Sequence, residues 1–262
     1  MRALLLAAGL GTRLKTLTTY IPKCLSPISN RPLIDYWLDT LLKGGISEVL
    51  VNTHYMADIV EHYIKQSSWR RSVSLVFEKE LLGTAGTILK NRHFFEQKPF
   101  LVAHADNLTL FDLQDFQQKH FSRPKGTSLT MMTFEAENPE LCGVVEIDQN
   151  RIVQKFHEKI QNPPDNLSNA AVYIFEPTVI DFIAEFQQEF IDLSTDIIPK
   201  YLGKIFTYHN GKYHRDIGTL QSWRAANLDF PMPKASQENA SVWESMGENH
   251  GELHRNITSF LS

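Results

Sequence analysis

Apolar residues follow two rhythms along the chain. Behind Arg2, the run Ala3-Leu4-Leu5-Leu6 ends in the small residues Ala7 and Ala8 and then in Gly9 and Gly11, which reads as a buried strand and a tight loop. From Pro32, which suits a first helical position, Leu33, Tyr36, Trp37, Leu41 and Leu42 recur at helical spacing until Gly44-Gly45 stops the pattern. A mostly apolar strand over 48–52 follows. Next come a helix over about 56–66, with Ile59, Val60, Tyr63 and Ile64 on one side, and a strand over 73–77. A helix from 84 to about 91, a strand over 100–103 and a helix near 113–121 complete the first half. This alternation predicts a parallel sheet with helices on both faces. Aromatic residues in these segments, Trp37 among them, read as core.

The second half changes rhythm. Segments 127–134, 143–147, 151–157 and 169–175 are strand-like and partly alternating, and 161–166 is a loop by composition. A helix over 178–186 and a short capped helix over 194–201 follow. Asn210-Gly211 between strand-like 205–209 and 212–216 predicts a hairpin. A helix over 219–228 precedes a polar tail, 231–262, for which a loose packing or a short extra helix is expected. The fold class expected is α/β: a Rossmann-like mixed, mostly parallel sheet covered by helices on both faces, with a small antiparallel element.

Composition narrows the classes of function. With 262 residues the chain buries a full core, and 42% hydrophobic with 21% charged residues is ordinary for a globular protein. The formal charge of −4, from 26 basic and 30 acidic residues, gives no general attraction to nucleic acid or to an anionic membrane. No long apolar span or cleavable leader is evident. Two cysteines, Cys24 and Cys142, make neither a disulfide framework nor a metal quartet, and a cytoplasmic setting is the simplest expectation.

Candidate chemistry begins in the first loop. Small residues let the backbone approach a ligand closely, and successive N–H groups in such a turn form an anion site. Arg13 and Lys23 add two positive charges, a combination suited to a triphosphate. The loop fails the dinucleotide fingerprint, because Leu14 stands where the third glycine belongs, and it lacks the Gly-Lys-Ser/Thr of a P-loop. A glycine turn without a ligand remains the plain alternative. His104-Ala105-Asp106-Asn107 lies at the carboxyl end of the fourth strand, where open α/β sheets bind their ligands. Asp106 there is a hard oxygen ligand suited to Mg²⁺, the alternative being a helix cap rather far upstream of 113–121.

Leu6-Ala7-Ala8-Gly9-Leu10-Gly11-Thr12-Arg13-Leu14, then Pro22-Lys23-Cys24-Leu25-Ser26-Pro27-Ile28 and Arg31-Pro32-Leu33-Ile34, resembles the signature of the sugar-1-phosphate nucleotidylyltransferases, and the resemblance continues to about Asp229. Many members have proline where this chain has Thr16, and glycine where it has Ala105. The resemblance implies a glycosyltransferase-A-like domain over 1–230, with a nucleotide-binding part over about 1–125 and a sugar-binding part over about 126–230. It assigns Ala7, Ala8, Gly9, Gly11, Thr12, Gly83 and Thr84 to nucleotide contact, although 83–84 reads equally as a turn with Thr84 as helix cap; Glu78 and Glu80 are weaker candidates for base-edge acceptors. Arg13, Lys23 and Asp106 become catalytic, and Asp106 and Asp216 become the carboxylates for Mg²⁺, the latter from Asp216-Ile217-Gly218-Thr219. Glu158, Lys159 and Asn169 would bind the sugar phosphate, although Glu158-Lys159 alone reads equally as a solvated strand end. Asn169-Ala170-Ala171 resembles the family's Asn-Ala-Gly segment, with Ala171 in place of glycine. The implied substrates are an NTP and a sugar 1-phosphate. Gly83-Thr84-Ala85-Gly86 looks most like members using GTP with mannose or heptose phosphates. UTP, CTP or dTTP, a non-sugar phosphate, or a catalytically silent nucleotide-sugar sensor are the alternatives. A homodimer is a family-level expectation. No hexapeptide repeat appears, so an appended acyltransferase β-helix is not expected.

Overall fold

The computed structural model describes residues 1–231 and 239–249. In chain order the strands are β1 (Arg2–Leu6), β2 (Pro27–Ile28), β3 (Arg31–Pro32), β4 (Val49–Thr53), β5 (Val73–Phe77), β6 (Phe100–His104), β7 (Asn107–Leu110), β8 (Leu129–Glu135), β9 (Gly143–Ile147), β10 (Val153–Glu158), β11 (Leu167–Phe175), β12 (Ile205–His209) and β13 (Tyr213–Asp216). The α-helices are α1 (Lys15–Thr18), α2 (Leu33–Lys43), α3 (Ala57–Gln66), α4 (Thr84–Lys90), α5 (Leu113–Phe121), α6 (Thr178–Ala184), α7 (Leu220–Asp229) and α8 (Ala240–Asn249). Nine strands form one mixed sheet. Its main path runs β10-β9-β11-β6-β1-β4-β5, and β8 pairs both β11 and β12. This is the Rossmann-like arrangement that the alternating pattern predicts, with the antiparallel element in the second half.

The chain divides into two compact units, each assembled from separate stretches. One comprises Leu5–Glu80, Ala105–Thr109 and the chain from Arg215. Here β4 and β5 run parallel, and β4 is buried along its whole length, as an apolar strand covered on both faces must be. α2 buries Leu33, Ile34, Tyr36, Trp37, Leu38 and Leu41, and ends at Gly44. Asp35 is buried with them. Burial pushes its carboxyl pKa up, against the pull of Tyr63, Arg31, Trp69 and Asn239. α8 belongs to this unit and extends it beyond the expected domain end at 230. Trp243 and Met246 are buried, and the Trp243 ring meets Tyr63 edge to face at 6.1 Å. The Asn239 Oδ1 accepts the Ser68 N–H at 2.8 Å. The rest of the tail, 232–238 and 250–262, lies outside the described residues.

The other unit comprises Met1–Leu4, Leu81–His104 and Leu110–His214. β11 is its central strand, antiparallel to β6, β8 and β9, while β12 pairs β8 in parallel. Two local expectations are corrected here. Asn210-Gly211 does not close a hairpin: β12 pairs with β8, and β13 pairs with β7 in a separate two-stranded ribbon. The usual two-residue hairpin turns need positive φ at both central residues (type I′) or at the first (type II′), and neither Asn210 nor Gly211 has it. Instead Asn210 N donates to Thr133 O at 2.7 Å, and its side chain holds Lys212 N and Tyr213 O, turning the chain away. The capped helix expected over 194–201 is a π turn over Leu193–Ile197, capped by the Asp192 carboxylate, followed by a 3-10 turn over Ile198–Lys200.

Candidate active site

Four charged side chains converge within the first unit. After β1 the chain passes Gly11, in the left-handed region at φ 62°, into a 3-10 turn over Thr12–Leu14 and then α1. A Cβ at Gly11 would meet the Thr18 methyl at 2.7 Å, so glycine is required both for its conformation and for space. Thr18 locks the turn by donating to the carbonyls of Gly11 and Leu14 at 3.0 and 3.2 Å, and its own carbonyl accepts from the Tyr55 hydroxyl at 2.9 Å. Gly9 has no left-handed φ and open space around its would-be Cβ, so it leaves room rather than forcing a conformation.

Lys23 opens a 3-10 turn after Pro22 and is only 7% exposed. Its Nζ donates to Asp106 Oδ2 at 2.7 Å and to Asp216 Oδ1 at 3.1 Å. Arg13 donates to the other oxygen of Asp216 at 3.3 Å. Burial pulls the Lys23 ammonium pKa down, but the two carboxylates and the hydrogen bonds they accept outweigh it, and the pKa is raised above its ordinary value. Lys23 is therefore charged at any physiological pH. Asp106 and Asp216 remain 36% and 47% exposed in their side chains, so both carboxylates are reachable from solvent.

The backbone around these carboxylates is fixed. Ala105 N donates to Leu6 O at 3.0 Å, and Ile217 N donates to Asp106 O at 3.2 Å. The indole of Trp37 donates to Asn107 O at 2.7 Å, and that of Trp223 to Pro27 O at 2.8 Å. Both tryptophans are core residues that also fix backbone carbonyls, one next to Asp106 and one four residues after Lys23. Gly218 is needed here: a Cβ would lie 2.8 Å from Asp216 Oδ2 and 2.9 Å from Arg13 Nη2. The neighbouring Cys24 thiol is buried, which pushes its pKa up to about 12, so it is no nucleophile at neutral pH.

Sequence reasoning missed Asn52. Its Oδ1 accepts the Ala7 N–H at 2.8 Å, and its Nδ2 donates to Glu78 Oε1 at 3.0 Å. Ala7 thus spends its N–H inward, while Glu78, only 5% exposed, holds the start of the loop through Asn52. The available signal was a buried amide in the otherwise apolar strand Val49-Leu50-Val51-Asn52-Thr53.

The remaining candidates belong to the other unit. Gly83 has φ 77°, and a Cβ there would lie 2.4 Å from Ile191 O. The Thr84 hydroxyl donates to Asp192 Oδ2 at 3.0 Å and accepts Leu193 N at 2.7 Å, so it does not cap α4 and is engaged within the fold. Glu158 and Lys159 pair at 2.9 Å, and Lys159 takes a positive φ at the end of β10. Gly143 makes room for them: a Cβ there would meet the Phe156 ring at 2.5 Å and Glu158 Oε2 at 2.9 Å. Asn169 is held at both ends, Oδ1 by Ala171 N at 2.9 Å and Nδ2 by the Tyr173 hydroxyl at 2.7 Å. Ala171 sits at φ 52° in the irregularity of β11, a conformation that favours glycine.

Among the described residues no group of three or more His, Cys, Asp or Glu side chains could hold a metal ion, and no helix is long and apolar enough to cross a membrane. Two carboxylates nevertheless suit Mg²⁺, which takes one or two and fills its shell with water and phosphate oxygens.

Residues 2–231 match the nucleotidyl transferase family. Mannose-1-phosphate guanyltransferase beta-B of Xenopus laevis is 33% identical to the chain over 226 residues, covering 83% of this chain and 61% of that protein. The chain thus spans about three fifths of the length of this curated relative. Among solved structures, HddC from Yersinia pseudotuberculosis superposes with a TM-score of 0.74 at 26% identity, covering 87% of this chain and 99% of that one. HddC complexed with GMP-PN gives a TM-score of 0.72 at 25% identity, with the same coverage.

Proposed function

The chain belongs to the nucleotidyl transferase family, and from that premise we propose that it joins a nucleoside triphosphate to a sugar 1-phosphate, releasing pyrophosphate, with GTP and a mannose- or heptose-like sugar phosphate as substrates. One observation carries the reading: Lys23 reaches both Asp106 and Asp216 while Arg13 reaches Asp216, so two cations and two carboxylates share one solvent-reachable site. A sugar phosphate is already a charged nucleophile and needs no general base. The barrier is electrostatic, because one phosphate anion must attack the α-phosphorus of another. Charge neutralisation and alignment are then the main catalytic means.

In this scheme Arg13 and the loop after β1, Ala8, Gly9, Gly11 and Thr12, hold the leaving pyrophosphate, and Lys23 neutralises charge at the α-phosphate. Lys159 takes the attacking phosphate, while Glu158 and Asn169 take sugar hydroxyls. Gly83 and Thr84 receive the base through their backbone. Asp106 and Asp216 would hold Mg²⁺, which when bound supplies Lewis-acid charge stabilisation and a template for the phosphates. Support for guanosine comes from the relative named as a mannose-1-phosphate guanyltransferase and from the GMP-PN complex of HddC. The silent-sensor reading is disfavoured because Arg13, Lys23, Asp106, Lys159 and Asp216 are all present.

The test is pyrophosphate release with Mg²⁺, each NTP in turn, and a panel of sugar 1-phosphates. GTP with mannose 1-phosphate or a heptose 1-phosphate is expected to lead. Asp106→Asn is expected to stay folded and lose about a hundred- to a thousand-fold in turnover. Full activity in that variant would remove Asp106 from the mechanism.

A further inference from the structure

The four charges of the site already balance. Arg13 and Lys23 oppose Asp106 and Asp216, and the Lys23 Nζ lies between the two carboxylates, at 2.7 and 3.1 Å. A Mg²⁺ ion bound through the two oxygens that Lys23 engages, Asp106 Oδ2 and Asp216 Oδ1, would need each at about 2.0–2.1 Å, and so would have to enter the gap that the ammonium fills. Two cations cannot share it, since like charges a few ångströms apart in a half-buried site repel strongly. The Lys23 stem is buried and anchored, with its Cβ 3.5 Å from where a Cβ on Gly11 would be. Only the tip of its flexible side chain is free to change partner.

We propose that Lys23 is a stand-in for the divalent cation: in the nucleotide-free protein its ammonium holds Asp106 and Asp216 together and keeps the metal out, and it yields the gap only when a triphosphate offers it another partner. The proposal rests on the reading of Asp106 and Asp216 as the metal carboxylates. It requires metal and nucleotide to bind with positive coupling, because each removes an obstacle to the other. The charged tip at Lys23 would then act twice, first as a placeholder for the ion and afterwards as a neutralising group on the phosphate.

The test uses Mn²⁺ as the probe and the full chain without nucleotide, with free ion measured by electron paramagnetic resonance. Wild type is expected to bind weakly at this site. Lys23→Met and, as a second variant with a polar side chain, Lys23→Gln are expected to bind at least about tenfold more tightly. Adding Asp106→Asn to either should return the affinity to the wild-type level. Arg13→Met removes the same charge beside Asp216 but leaves the gap filled, and is expected to stay within about twofold of wild type. The proposal is overturned if wild type binds Mn²⁺ as tightly as the Lys23 variants. It is equally overturned if Arg13→Met gains as much, or if Asp106→Asn leaves the gain intact. None of these measurements involves turnover, so a wild-type protein that released no pyrophosphate would sink the proposed reaction and not this inference.

Discussion

At the scale of single residues, two buried basic side chains end in opposite charge states according to what surrounds them. Lys23 is buried yet charged, because two carboxylates offset the cost of burial. His120 is buried and neutral. Its Nδ1 meets Thr130 Oγ1 at 2.8 Å, and its Nε2 lies 3.2 Å from Glu176 Oε1, an oxygen that Arg123 already occupies at 2.7 Å. Burial first, and then the Arg123 charge, lower its pKa from 6.5 to about 3. The sign follows from proton counting. Between pH 6.5 and 3 the unfolded chain protonates this histidine and the folded chain does not, so His120 costs stability as the pH falls through that window. The slope for one such group approaches about 1.4 kcal/mol per pH unit. Urea titrations from pH 7 to 4 should show a shallower acid loss in His120→Gln than in wild type. Equal slopes would mean that another group dominates.

At the scale of elements, chain pieces that read as minor turn out to hold larger ones. Trp37 and Trp223 lie on α2 and α7 as apolar ridges, yet their indole N–H groups fix the carbonyls of Asn107 and Pro27. α8 is the clearest case: of the two expectations for the polar tail, loose packing or a short extra helix, 240–249 forms the helix. Its Trp243 is 5% exposed against Tyr63 of α3, and Asn239 just before it holds Ser68 N. Removing a buried tryptophan side chain commonly costs about 3–5 kcal/mol, so Trp243→Ala is expected to lower the urea stability by about 3 kcal/mol. Faster amide exchange is expected over α3, and an unchanged melt would show that α8 does not hold this unit together. The failed hairpin belongs to the same scale. Asn210-Gly211 marks a turn correctly, but strand partners are chosen by the neighbouring edge, and β8 offered β12 a parallel one.

At the scale of the whole molecule, the unit holding Arg13, Lys23, Asp106 and Asp216 is built from three stretches of chain. Its charged cluster exists only when all three are folded, so a ligand of the cluster must stabilise the fold. For a site with no affinity for the unfolded chain, ligand at a hundred times its Kd adds about 2.7 kcal/mol. Mg²⁺ with GTP is therefore expected to raise the melting temperature by several degrees, more than Mg²⁺ with UTP or Mg²⁺ alone. Equal shifts from every nucleotide would remove guanosine preference from the proposed function.

Local constraints were legible in the chain itself. Apolar periodicity marks β4, β5, α2 and α5 within a residue or two, because burial of one face is a property of spacing. The turn at Gly11 and the positive charges at 13 and 23 were readable too, because backbone shape and charge are local. What folding alone decided is who meets whom. Lys23 reaches carboxylates 83 and 193 residues further along, Asn52 turns the Ala7 N–H inward, and Thr84 spends its hydroxyl on a segment more than a hundred residues away. Such contacts depend on how distant stretches pack, and no spacing within one stretch encodes them.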